Sequence, residues 1–147
     1  VSAQRDRWLR AGLTTLALAQ AFVGLWAQVL PRSFYDDFPG AGRHWVSMLG
    51  AYNEHLTRDV GGLNLAFAVV FAIAAYALDR RLAAAALLGY LFYAVPHLLF
   101  HAGHLRHFPT VDVVGGMLSL GLLVVLPIVL LPMTGHLTRG GAGGASR

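Results

Sequence analysis

The residues best equipped for chemistry in this chain are its histidines. Four of the seven crowd together as His97, His101, His104 and His107, at the end of a long apolar run. The first three stand at i, i+4 and i+7, which places them on one stripe of a helix. Imidazole is the commonest neutral metal ligand and titrates near neutral pH. Two imidazoles one turn apart can share an ion, and a third ligand from a facing helix completes a site with an open position. His55, Glu54 or Asp59 of the second span is the partner expected from elsewhere in the chain. The expectation is a transition-metal or haem site held by His97, His101, His104 and His55, serving redox or metal-dependent chemistry. The bland alternative is a set of interfacial histidines that hydrogen-bond backbone freed by Pro96.

A second constellation is Tyr52-Asn53-Glu54-His55-x3-Asp59. Two carboxylates beside an imidazole can exchange protons, which makes Glu54, His55 and Asp59 the candidate catalytic residues of a metal-free acid–base enzyme. Such groups can move a double bond or open an epoxide in a lipid-soluble substrate. Against that, Asp59 and Asp112 each suit the N-cap of a helix, and Glu54 can simply pair with Arg58 at i, i+4. Gln20, Gln28 and Asn64 lie alone within apolar runs and are expected to hydrogen-bond between helices. The Gly61-Gly62 and Gly115-Gly116 pairs read as packing glycines.

The composition says where these groups must work. Hydrophobic residues make up 56% of the 147 and charged residues 12%, against roughly 45–50% and 25% in soluble domains. The mean hydropathy is +0.59. This is the composition of an integral membrane protein. There is no cysteine and no lysine, which excludes thiolate catalysis, Cys-ligated metals and Schiff-base chemistry. The arginines sit at the ends of apolar segments rather than along one stripe, so no nucleic-acid partner is expected.

Four apolar runs, 9–30, 59–78, 82–101 and 112–131, each meet the ~20 residues needed to cross a bilayer. The first exceeds a signal-peptide apolar region and is expected to remain as a helix. The expected fold is all-α, a single membrane domain over 1–135 built as a four-transmembrane-helix bundle. A Gly-rich tail, 136–147, is expected to be disordered. Between the first two spans lies a long connection, turn-like before Gly42. After it, Trp45, Leu49, Tyr52 and Leu56 predict an amphipathic helix. The second span opens with His55-x3-Asp59-Val-Gly-Gly, and the fourth with His107-x4-Asp112-Val-Val-Gly-Gly. This repeat predicts two similar hairpins.

Seven arginines and two acids fall on the side of the termini and the 79–81 turn, four arginines and five acids on the other. The positive-inside rule then puts both termini in the cytoplasm and the histidine-rich face outward from a bacterial cytoplasmic membrane.

The layout, together with Phe34-Tyr35-Asp36-Asp37-Phe38-Pro39 and Asn53-Glu54-His55 leading into Arg58-Asp59-Val60-Gly61-Gly62, resembles DoxX-like proteins and uncharacterised actinobacterial four-span membrane proteins. The resemblance implies association with oxidoreductase systems. It assigns no role to His97, His101 or His104. A different expectation is an accessory or scaffolding subunit, docking through its outer loop on a membrane-protein partner or on further copies of itself.

Overall fold

The computed structural model describes residues 2–136. The expected tail lies, from 137 onward, outside the described residues. Five α-helices account for most of the chain: α1 Ser2–Val29, α2 Pro31–Asp37, α3 Glu54–Ala77, α4 Arg80–Gly103 and α5 Thr110–Leu130, the last running on as a 3-10 helix, Leu131–His136. Among the described residues there is no strand. α1, α3, α4 and α5 are long and apolar enough to cross a membrane, and only 17–33% of each apolar window is buried within the protein. Val69, Ile73, Phe92, Leu122 and Val125 instead face outward. Helices apolar on every side need an apolar surrounding, which a bilayer supplies. The all-α membrane bundle is therefore as expected.

Local chemistry sets the helix boundaries. Asn53 is extended and its side chain accepts the Leu56 N–H at 3.1 Å, capping α3. The helix ends at Leu78, in the left-handed region at φ 47°, and Asp79 caps α4 by accepting the Leu82 N–H at 2.9 Å. Two residues thus suffice to reverse the chain.

Two N-caps differ from expectation. Asp59 lies more than a turn inside α3, because Asn53 takes the capping position. Asp112 lies in the first turn of α5, whose cap position belongs to Pro109.

The connection after α1 folds the opposite way to its sequence pattern. Its first part is helical. Pro31 pre-sets the φ of the first turn of α2, Arg32 pairs with Asp36 at 2.6 Å, and Phe34 and Phe38 pack on Trp26. The hydrogen bond to Asp36 raises the pKa of the Arg32 guanidinium above its ordinary value. The second part, expected as an amphipathic helix, holds only a 3-10 turn, Ser47–Leu49. Trp45 is drawn off helical geometry by bonds at both ends: its backbone N–H reaches Phe38 O at 2.8 Å, and its indole reaches α5.

α1 packs most extensively on α3, and α4 on α5, matching the two expected hairpins. The α1–α3 crossing is backbone on backbone. A Cβ on Gly61 would stand 2.6 Å from the Gln28 nitrogen, and one on Gly24 would stand 2.8 Å from the Leu65 nitrogen. The other expected packing glycines differ: Gly115 meets only the Trp45 ring, and Gly116 has nothing within 4 Å.

The core is not evenly distributed. Leu9, Leu13, Leu16, Phe71, Ala74, Ala83, Leu87 and Leu130 fill the end of the bundle that carries Arg5, Arg7, Arg10, Arg80 and Arg81. The opposite end, which carries the histidines, is hollow.

Candidate functional site

That hollow is a cavity of about 580 Å³ lined by all four long helices and the connection after α1. The volume is of the order that holds a drug-sized ligand. Its wall is mostly apolar: Val23, Val60, Ala94, Met117, Leu120 and Leu123 from the helices, with Phe34, Phe38, Trp45 and Leu49 from the connection above. Phe22, Trp26, Phe34, Phe38 and Trp45 form a continuous set of ring contacts, so this cover is stiffened by aromatic packing.

Asp112 fastens the cover. Its Oδ1 accepts the Trp45 indole N–H at 2.9 Å and Arg43 Nη1 at 3.1 Å, while the residue is 7% exposed. The first turn of a helix favours a carboxylate, because unpaired N–H groups point toward it. At the other side Tyr35 donates its hydroxyl to the Gly50 carbonyl and packs edge-on against Tyr52.

Polar side chains gather at the deep end. Gln20 of α1 donates from Nε2 to the Tyr90 hydroxyl of α4 at 2.8 Å, and the Gln20 Oε1 is buried with no hydrogen-bond partner. Asn64 donates to its own helix, at Val60 O, 2.8 Å away. From there a line of rings climbs α4 along the cavity. Tyr93 stacks on His97 at 5.4 Å, and His97 meets His101 edge-on at 4.7 Å. Of the three isolated polar residues expected to bond between helices, Gln20 does so through Tyr90, and Asn64 also bonds Tyr93 of α4. Gln28 Oε1 has no partner.

The metal or haem site does not form. Among the described residues no three of His, Cys, Asp and Glu converge so as to hold an ion. His97 and His101 do line the cavity together. His104 turns away, its Nδ1 2.7 Å from Phe100 O and its ring stacked on Phe100. His55 lies on the exposed face of α3, 3.2 Å from Asp59, with 87% of its side chain exposed. The spacing argument was right about one stripe on α4 and wrong about convergence, because α3 presents Thr57, Val60 and Asn64 to the cavity instead.

The same rotation of α3 places the candidate acid–base residues. Glu54, His55 and Asp59 are exposed and do not line the cavity; Glu54 pairs with Arg58 at 2.8 Å. Three important residues were read as bland or passed over. Asp112 looked like an N-cap and Gln20 like a packing amide. Tyr90 is signalled only by the spacing Tyr90, Tyr93, His97, His101, a polar-ring stripe at helical period. Comparison with protein-family models, with curated proteins and with solved structures finds no match, so nothing there bears on the DoxX-like resemblance.

Proposed function

We propose that the protein is a membrane-embedded binding protein for a lipid-soluble small molecule, held in the histidine end of the bundle. The observation that carries this reading is the cavity itself, about 580 Å³ with a mostly apolar surface. A tightly packed bundle of four apolar helices has no structural need for such a space, since unfilled volume forfeits packing contacts. The opposite end of the same bundle holds most of the buried apolar core. An amphiphile reaches such a site from the bilayer already dissolved in an apolar phase. The arginine bias favours an orientation with the cavity end on the outer side of the membrane and both termini in the cytoplasm.

Gly116 gives a direct test. It lines the cavity from α5, and a Cβ there meets nothing within 4 Å. Gly116→Phe therefore fills the space without displacing a helix. Native mass spectrometry of protein released from its membrane is expected to show a discrete small-molecule adduct on the wild type and none on Gly116→Phe, with helicity unchanged. Equal adduct on both proteins, or none on either, would overturn the reading.

A further inference from the structure

The polar groups at the deep end define what kind of ligand head group fits, which rests on the cavity being a binding site as proposed above. Most polar side chains on the wall are already spent. Asp112 holds two donors at its Oδ1, and Asn64 donates to Val60. Gln20 differs. Its Nε2 is committed to Tyr90, but its Oε1 has no partner although the residue is only 2% exposed. An unpaired buried acceptor is costly and uncommon in a settled structure. Tyr90 accepts the bond from Gln20, which leaves its own O–H free to donate. One acceptor on α1 and one donor on α4 therefore stand side by side at the cavity floor.

We infer that this floor receives the hydroxyl group of a neutral, otherwise apolar ligand, which donates to Gln20 Oε1 and accepts from the Tyr90 O–H. A hydroxyl is the smallest group that does both. An ether or ketone of the same shape only accepts, and leaves Gln20 unpaired. A carboxylate brings no donor for Gln20 Oε1, and an ammonium would arrive without a counter-ion, because the one acid on the cavity wall, Asp112, is already bonded to Arg43 and Trp45. The ligand enters hydroxyl first, with its apolar body against Leu120 and Trp45.

The experiment compares 1-pyrenebutanol with its methyl ether, using protein in phosphatidylcholine nanodiscs. Binding is read as energy transfer from the protein's tryptophans to pyrene, with Gly116→Phe as the background. The alcohol is expected to bind about tenfold or more tightly than the ether. Gln20→Leu is expected to bring the alcohol down to the level of the ether and leave the ether unchanged. Tyr90→Phe, which keeps the ring packing, is expected to narrow the difference in the same direction. Equal affinities in the wild type would overturn the inference and leave the cavity reading standing, as would a preference that survives Gln20→Leu. Failure of both probes to exceed the background would defeat the cavity reading together with the inference.

Discussion

Trp45 donates its indole N–H to the carboxylate of Asp112, 2.9 Å away and 67 positions along the chain. The bond joins the covering connection to the first turn of α5, and Arg43 adds a second donor to the same oxygen. Asp112 thus anchors the cover to that helix.

Replacing it separates two effects. Hydrogen bonds to a charged group contribute about 1.5–3 kcal/mol each, less where a partner is half-exposed as Arg43 is. Asp112→Ala is predicted to destabilise the protein by about 2–3 kcal/mol in reversible unfolding from mixed micelles. Asp112→Asn keeps an acceptor for Trp45 and is expected to cost less than half as much. If the alanine variant unfolds like the wild type, the anchor carries no weight.

The α1–α3 crossing makes a sharper comparison between adjacent glycines. A Cβ on Gly61 would meet the Gln28 backbone at 2.6 Å, whereas at Gly62 the nearest atom is Gln28 Oε1 at 3.9 Å. Backbone cannot yield as a side chain can. Gly61→Ala is predicted to lose about 1–3 kcal/mol by forcing the helices apart, while Gly62→Ala is neutral or slightly stabilising through its better helix propensity. Similar unfolding midpoints for the two variants would refute the close crossing.

Glu54 and His55 stand on the exposed face of α3, in pairs with Arg58 and Asp59 one turn on. Exposed i, i+4 pairs contribute about 0.3–0.5 kcal/mol. Glu54→Ala and His55→Ala are therefore predicted to shift stability by no more than about 0.5 kcal/mol. Neither is expected to alter the pyrene-probe affinity, since neither residue lines the cavity. A large fall in affinity with either variant would return these residues to the site.

How much of this was legible beforehand follows from the range of the forces involved. Apolar run length, caps and turn residues act within a few positions, so the four long helices, the tight 78–79 reversal and the pairing into hairpins could all be read from the chain. So could the shared stripe of His97 and His101, which helical spacing alone fixes. The connection after α1 could not. Trp45, Leu49, Tyr52 and Leu56 carry a helical period, yet the pull of Phe38 and Asp112 on Trp45 overrides it, and neither partner is local to that pattern.

The sequence by itself determined that this is an all-helical membrane bundle with most of its arginines at one end and most of its histidines at the other, because hydropathy and periodicity are properties of consecutive residues. Only the tertiary structure decided which side chains meet. The rotation of α3 about its own axis, locked by the Gly24–Gly61 crossing, turns His55 and Asp59 outward and brings Thr57 and Asn64 inward. One helical face set by two glycines thus exchanges an expected metal centre for an apolar cavity with a hydrogen-bonding floor.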